Sequence, residues 1–283
     1  MTKAEVLRLP APAKLNLMLR IVGRRDDGYH LLQTVFQFID RCDWITLRRR
    51  SDGLVRLLTP LPGVPEEMDL TVRAAQLLRQ SAGVRCGVEI EIEKNLPMGG
   101  GLGGGSSDAA TALLGLNCLW QAGLSLQDLM ILGLQLGADV PVFVNGCSAW
   151  AEGVGEVLTP LDLSEPWYLV VVPECHVATG QIFSAPGLTR NNKPIKIADF
   201  LAGQQENHCL PVVSELYPKI EAALGSLRRF SPARLTGTGA CVFATFADET
   251  DARAAAIALE RDWSVFVARG MNRSPLHQAL KLA

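Results

Sequence analysis

The sequence predicts an α+β protein of two domains, in which antiparallel strands and helices pack together. The chain has 283 residues, of which 48% are apolar, which is enough for two hydrophobic cores. The segment Val88-Glu89-Ile90-Glu91-Ile92-Glu93 alternates apolar and acidic residues, as in an antiparallel strand with one exposed face. Other segments repeat leucine and alanine at helical spacing. Strands and helices of this kind, in one chain of this length, favour the α+β class.

Composition excludes several classes of function. The formal net charge is −2 and charged residues make up 20% of the chain, so no basic field favours a nucleic-acid partner. No apolar run approaches twenty residues, and no membrane partner is expected. The first residues, Met1-Thr2-Lys3-Ala4-Glu5, lack the apolar core of a signal peptide.

The cysteines and histidines form no recognisable metal or disulfide pattern. Seven cysteines are scattered without a CxxC pair, and the four histidines add no metal-ligand spacing. We therefore expect no protein metal site and a reducing, cytoplasmic location.

The first third of the chain predicts strands. Pro12 to Ile21 alternates apolar residues with Lys14, Asn16 and others, so these two polar side chains share one strand face that is exposed either to water or to a site. A charged turn, Gly23 to Gly28, leads to Tyr29 and His30, which either pack locally or bind a planar ligand. Further strands are predicted at 34–40, 43–50 and 54–58.

Helices are predicted in the middle of the chain. One spans about 69–81 and stops at Gly83, one runs from Asp108 to about residue 121, and one begins at the capping box of Ser125 and ends at Gly137. Next, Asp139 is predicted in an apolar turn before a strand, where it either satisfies turn N–H groups or acts as a general base.

The pattern changes near residues 153–156, which predicts domains at 1–155 and 156–283. In the second domain we expect strands at 167–173 and 265–268, and a glycine turn at 235–243 leading into a strand. Helices are expected at 217–227 and 251–261, and a loop-to-helix region with Thr179 and Phe183. Residues 190–209 show no clear pattern.

A glycine-rich stretch between residues 97 and 110 is the strongest motif. Glycines let backbone N–H groups approach an anion closely, and a following helix N-terminus attracts negative charge, so the stretch predicts a phosphate site. Gly99-x-Gly101-x-x-Gly104 matches the dinucleotide fingerprint, but the preceding strand is half exposed rather than buried. The Walker lysine is missing, and a flexible linker is the remaining alternative.

Together, Pro12-Ala-Lys14-Leu-Asn16, the Pro97 to Ser107 loop with its Ser-Ser-x-Ala-Ala continuation, and the turn Gly237-Thr238-Gly239 resemble the GHMP small-molecule kinases. Asp27-Gly-Tyr29-His30 and Leu136-Gly-Ala-Asp139-Val-Pro141 add to this resemblance. It implies the two-domain GHMP-kinase fold, with mixed or antiparallel sheets and helices packed on them, and an active site in the cleft between the domains.

The resemblance also implies ATP as the phosphoryl donor, with Mg²⁺. Asp139 would accept the proton of the attacking hydroxyl, and Lys14 would keep that carboxylate ionised. The implied ATP-binding residues are Pro97, Met98, Gly99, Gly100, Gly101, Leu102, Gly103, Gly104, Gly105, Ser106, Ser107, Lys94 and Asp69. Asp69 stands where an asparagine is expected near the adenine, so Lys94 would border the adenine instead, and Ser107 would contact the Mg²⁺.

For the acceptor, the resemblance implies a small molecule that carries a cytidine diphosphate group. Tyr29 and Phe183 would sandwich the cytosine, His30 would read its polar edge, and Asn16, Thr179 and Thr238 would also contact the substrate. A kinase for homoserine or mevalonate and a non-catalytic nucleotide sensor are the alternatives, with a dinucleotide-dependent oxidoreductase more distant. The protein is expected to be a monomer or homodimer.

Overall fold

A computed structural model describes residues 5–282, so the predicted features of Met1 to Ala4 and of Ala283 lie outside the described residues. The strands are β1 (Val6–Arg24), β2 (His30–Arg50), β3 (Val55–Leu57), β4 (Gly87–Glu93), β5 (Ala149–Glu152), β6 (Val157–Pro160), β7 (Trp167–Val172), β8 (Ala233–Leu235), β9 (Val242–Phe246) and β10 (Ser264–Met271). The helices are α1 (Leu70–Ala82), α2 (Gly104–Trp120), α3 (Leu126–Leu136), α4 (Val140–Asn145), α5 (Thr179–Ser184), α6 (Ile197–Leu201), α7 (Leu210–Leu216), α8 (Pro218–Leu227), α9 (Glu249–Leu259) and α10 (Pro275–Leu280).

The strands form one mixed sheet, which confirms the predicted fold class. Its order is β3-β4-β2-β10-β7-β9-β8, with β1 and β5 also paired to β2 and β6 paired to β5. All pairs are antiparallel except β3 with β4. Because β10 pairs with both β2 and β7, it joins the strands of the two halves of the chain.

Three clusters of buried apolar residues fill the interior. The first packs α1 to α4 on the N-terminal strands, the second packs α8 and α9 on β7 and β9, and the third contains buried residues of β1, β2, β7 and β9. Two elements cross the predicted boundary at residues 155 and 156: β6 pairs with β5, and Leu276 of α10 is buried in the first cluster. The boundary itself stays a prediction.

The prediction of one buried face for β1 is wrong, because both faces are covered. Leu15 and Met18 are buried, and so are Lys14 and Asn16, with exposed fractions of 2% and 4%. The prediction of two strands at 34–40 and 43–50 is also wrong. They form the single strand β2, since β1 pairs along its whole length and a bulge after Ile39 absorbs the irregularity.

Two predictions for elements at the site are wrong, one in where a helix begins and one in the type of element. Helix α2 begins at Gly104 rather than Asp108, because Gly103 adopts a left-handed φ of 74° and directs the chain into the helix four residues earlier. The run after Asp139 forms helix α4 rather than a strand, since Pro141 suits the first turn of a helix and the apolar side chains are buried on all sides.

The other predicted elements are confirmed. Asp69 caps α1 and Gly83 ends it with a left-handed φ, and Ser125 and Asp128 form the expected capping box of α3. Strands β7, β9 and β10 and helices α5, α8 and α9 lie where the second half of the sequence predicts them. Within residues 5–282, no helix combines the length and apolar character needed to cross a bilayer.

Candidate active site

A cleft of about 870 Å³ brings most of the predicted site residues together. The residues that line it include the glycine loop with Lys94, the rings of Tyr29, His30 and Phe183, and the pair Lys14 and Asp139. All of the predicted site residues line this cleft except Asp69 and Ser107.

The carbonyl groups of the glycine loop are hydrogen-bonded to neighbouring segments of the chain. Four successive carbonyls accept hydrogen bonds from neighbouring segments: Gly99 from Ala240 N (3.2 Å), Gly100 from Cys241 N (3.0 Å), Gly101 from the Thr236 hydroxyl (3.2 Å) and Leu102 from Lys14 N (3.0 Å). In a trans peptide the following N–H points opposite to the carbonyl. The N–H groups of residues 100–103 therefore point away from these four donors, and the loop that carries them lines the cleft, as an anion site requires.

Helix α2 begins directly behind this loop. Its first residue, Gly104, lines the cleft, so the unpaired N–H groups and the positive end of a 17-residue helix lie beside the loop. Together the loop and the helix start form a site that is suited to a polyphosphate, and this site needs no Walker lysine.

Lys14 and Asp139 meet although they lie on distant elements. Lys14 Nζ is 3.2 Å from Asp139 Oδ2, and it also donates to Gly101 O (3.0 Å) and Asn16 Oδ1 (2.5 Å). Asp139 precedes α4, but its side chain makes no capping hydrogen bond to that helix. Its side chain is 35% exposed, whereas that of Lys14 is 3% exposed. The carboxylate is thus free of a turn-capping role and open to the cleft.

Asn16 fixes the strand side of this pair. Its Nδ2 donates to the Thr34 hydroxyl (2.9 Å), and its backbone N–H donates to the Thr236 hydroxyl (3.0 Å). Because Asn16 Oδ1 accepts from Lys14, the amide holds the ammonium group in place. Asn16 therefore positions Lys14 through this hydrogen bond, and it also lines the cleft.

Lys94 lies between two buried carboxylates. Its Nζ contacts Asp43 and lies 2.8 Å from Asp108 Oδ2. Burial alone would lower the pKa of Lys94, but Asp108 and Asp43 outweigh it and raise that pKa. Burial raises the pKa of Asp108, and Lys94 opposes this effect. Lys94 therefore remains a cation in the lining of the cleft.

Asp69 serves as a helix cap rather than a lining residue. It is 4% exposed, and its Oδ1 accepts hydrogen bonds from the N–H and hydroxyl of Thr71 and from Val72 N. Its neighbour Leu70 lines the cleft instead. An adenine contact by Asp69 stays a prediction.

Tyr29, His30 and Phe183 contribute rings to the lining of the cleft. His30 stacks on Phe183, with ring centroids 4.9 Å apart and an angle of 25° between the planes. Tyr29 is 62% exposed, and its ring does not stack on that of Phe183. Burial, followed by the charges of Arg190 and Arg24, lowers the pKa of His30, so its ring is neutral at pH 7.

Thr179 and Thr238 lie on facing segments of the second half of the chain. Their hydroxyl oxygens are 3.1 Å apart. Thr238 belongs to the glycine turn, which Asn207 holds by donating to the carbonyls of Leu235 and Gly237. Both residues line the cleft, and because one hydroxyl donates to the other, one O–H of the pair is left to donate to a bound phosphate or sugar.

Sequence reasoning missed several residues that shape this site. Asp43 and Asp108 hold Lys94, and Arg190 donates to His30. An aspartate at the first position of a predicted strand is a weak signal for Asp43, and residues 190–209 offer no pattern that points to Arg190.

No group of three or more His, Cys, Asp or Glu side chains within residues 5–282 is arranged to hold a metal ion. The Ser107 hydroxyl is buried without a hydrogen-bond partner in that range. This hydroxyl lies at the start of α2 but is fully buried and does not line the cleft, so its contact with Mg²⁺ stays a prediction.

Comparisons with known proteins agree with this geometry. A family model described as GHMP kinases N terminal domain matches residues 69–147, and one described as GHMP kinases C terminal matches residues 191–265. The 4-diphosphocytidyl-2-C-methyl-D-erythritol kinase of Methylococcus capsulatus is 61% identical over 279 residues, which cover 98% of this chain and 96% of the relative.

Solved structures give the same result at the level of the fold. A crystal structure of 4-(cytidine 5'-diphospho)-2C-methyl-D-erythritol kinase matches with a TM-score of 0.81 and 33% identity, covering 93% of this chain and 99% of that chain. Homoserine kinase from Cytophaga hutchinsonii matches with a TM-score of 0.72 at 16% identity and 97% coverage of both chains. The second match concerns the fold alone.

Proposed function

The chain belongs to the GHMP kinase family of ATP-dependent small-molecule kinases, and we propose that it phosphorylates the 2-hydroxyl of 4-diphosphocytidyl-2-C-methyl-D-erythritol. The products are the 2-phosphate and ADP. This reaction places the protein in non-mevalonate isoprenoid precursor biosynthesis. Relatives that carry this name are similar to the chain over nearly its full length, which supports the substrate.

One observation carries the proposal. The Lys14–Asp139 pair lines the same cleft as the glycine loop and as Tyr29, His30 and Phe183. A reacting hydroxyl at the pair can therefore have a triphosphate on one side and a ring-bearing substituent on the other. A smaller alcohol would make no contact with the rings of Tyr29, His30 and Phe183, which argues against homoserine or mevalonate as the substrate.

The residues suggest a direct phosphoryl transfer. Asp139 accepts the proton of the 2-hydroxyl while the hydroxyl oxygen bonds to the γ-phosphorus of ATP. The bond between that phosphorus and the bridging oxygen breaks, and ADP leaves with this oxygen. Lys14 keeps the carboxylate charged and stabilises the negative charge that develops on the transferring group. The loop N–H groups and the start of α2 bind the remaining phosphates.

ATP with Mg²⁺ completes the proposal. When bound, Mg²⁺ would neutralise phosphate charge. Ser107, whose hydroxyl has no hydrogen-bond partner within the described residues, is the residue that would contact the ion. We further propose a cytoplasmic protein that is a monomer or homodimer and binds no nucleic acid.

An ADP-release assay across candidate alcohols tests the function. With ATP and Mg²⁺, the cytidine diphosphate substrate should be turned over, whereas homoserine and mevalonate should give only background. Phosphorus NMR of the product should show a phosphate monoester at the 2-position. ATP binding without any transfer would instead favour a nucleotide sensor.

A further inference from the structure

We propose that Arg190 is a positioning residue that fixes the His30 imidazole as its Nδ1–H tautomer, so that the cleft offers a hydrogen-bond donor to the pyrimidine edge. This arrangement selects cytosine over uracil. The inference rests on the proposed function and adds to it a cause for base specificity.

The direction of the hydrogen bond sets the tautomer. Arg190 Nε lies 3.2 Å from His30 Nε2 and donates to it. An arginine guanidinium has five donors and no acceptor, so the nitrogen that it contacts must carry a lone pair. A neutral imidazole with an accepting Nε2 carries its proton on Nδ1. The lowered pKa of His30, caused by burial and then by Arg190 and Arg24, keeps the ring neutral and therefore able to accept.

The guanidinium cannot turn to make a different contact. Its other two nitrogens donate to three carbonyls at the end of α5 and beyond it: Nη1 to Leu188 O (3.0 Å), and Nη2 to Phe183 O (2.9 Å) and Ala185 O (2.7 Å). Four of its five donors are thus engaged, and the direction of Nε–H is fixed by the backbone around Phe183.

The ring of His30 is also held in its plane. Phe183 stacks on it at 4.9 Å, and the same segment supplies the carbonyls that hold Arg190. His30 lines the cleft, and no side chain or backbone group of residues 5–282 is hydrogen-bonded to its Nδ1. The free position of a fixed ring is consequently a donor.

A donor at this position distinguishes the two pyrimidines. Ring nitrogen N3 of cytosine accepts a hydrogen bond, whereas N3 of uracil carries a proton and donates. A donor that faces a second donor leaves both groups unpaired in a partly buried site, which costs about 1–3 kcal/mol, or roughly fivefold to 150-fold in preference. The opposite tautomer would reverse this preference.

The unmodified protein provides the first test. Nitrogen-15 NMR of histidine-labelled protein without ligand, with His30 assigned by loss of its signals in His30→Asn, should show a protonated Nδ1 and an unprotonated Nε2 at pH 7.5. A protonated Nε2 or an imidazolium would overturn the proposal. This result does not depend on which substrate the enzyme uses.

Substitutions provide the second test. In Arg190→Met and Arg190→Lys, the ratio of kcat/KM for the cytidine substrate to that for its uridine analogue should fall about tenfold or more, and the His30 signals should show mixed tautomers. Arg24→Met removes the other nearby positive charge but no hydrogen bond to the ring, so its His30 tautomer should match the unmodified protein. An unchanged ratio in both Arg190 variants, or the same tautomer change in Arg24→Met, contradicts the inference. If the unmodified protein ignores the cytidine substrate, the proposed function fails instead.

Discussion

The Lys14 ammonium group lies 3.2 Å from the Asp139 carboxylate, and this contact joins strand β1 to the start of helix α4. Asn16 Oδ1 and Gly101 O hold the ammonium on its other sides. Lys14 is therefore fixed in place, and the more exposed carboxylate is the member of the pair that can meet a substrate.

Replacing Asp139 by asparagine should abolish turnover and leave ATP binding largely intact. Asparagine keeps the shape but cannot accept the hydroxyl proton, and general bases contribute about 10²–10⁴-fold to rate. ADP release measures kcat, and calorimetric titration measures ATP affinity. As a control, Asp262→Asn removes an exposed carboxylate between α9 and β10, away from the cleft, and should keep full activity. A near-normal rate in Asp139→Asn would remove Asp139 as the base.

The ring of Tyr29 should contribute to binding of the nucleotide substrate. Tyr29→Ala removes an exposed ring at the aromatic end of the cleft, and one base–aromatic stack is worth about 1–3 kcal/mol, so KM for the cytidine substrate should rise about tenfold or more. KM for ATP should change little, because Tyr29 is not part of the proposed triphosphate site. Steady-state kinetics with each substrate varied in turn measures both. Tyr29→Phe keeps the ring and should remain close to normal; equal KM values in Tyr29→Ala and the unmodified protein would place the cytosine elsewhere.

Periodicity and capping rules predicted the helices and strands whose signals are local. The end of α1 at Gly83 and the capping box of Ser125 depend on residues three or four positions apart, and both are observed. Two predictions were wrong: the start of α2 and the strand after Asp139. The left-handed conformation of Gly103 sets where α2 begins, and burial of the apolar run from Val140 on all sides favours helix α4.

Contacts between distant segments could not be predicted from spacing. Their motifs indicate Lys14 and Asp139 as site residues, but no local pattern predicts that the two side chains lie 3.2 Å apart. Arg190 lies in a polar segment without periodicity, and its role follows only from the carbonyls that the end of α5 presents. Asp69 shows the converse: a motif position suggested a ligand contact, whereas its carboxylate caps a helix.

His277 should make the protein less stable in mild acid. It is 3% exposed, and its Nε2 lies 2.8 Å from Val144 O, the carbonyl of a residue in α4. Burial lowers its pKa below the ordinary value of 6.5; the contact with Val144 opposes this, and Arg273 adds to it. Below pH 6.5 the unfolded chain therefore binds a proton that the folded chain does not, so the free energy of unfolding falls as the pH falls.

Urea unfolding at several pH values checks this sign. His277→Gln removes the titrating group, so the free energy of unfolding of the unmodified protein minus that of the variant should decrease between pH 7.5 and pH 5.5. Because both proteins contain the remaining histidines, that difference isolates His277. A difference that stays constant over this range would show that His277 does not titrate differently in the folded state.

A methyl group at Gly103 should damage the site, whereas the same change at Gly123 should not. Both glycines have a φ of 74°, so alanine at either position carries the same left-handed strain, about 1–2 kcal/mol of lost stability. At Gly103 the added Cβ would lie 2.8 Å from the Phe143 ring and 3.1 Å from Lys14 Cε, whereas at Gly123 it would enter open space. Gly103→Ala should therefore lower kcat about tenfold or more by displacing Lys14 and the start of α2, since small misplacements of reacting groups are costly. Gly123→Ala should lose stability in urea unfolding but keep its kcat and KM. Equal kinetics in the two variants would mean that the close packing of Gly103 against Lys14 and Phe143 does not position the catalytic groups.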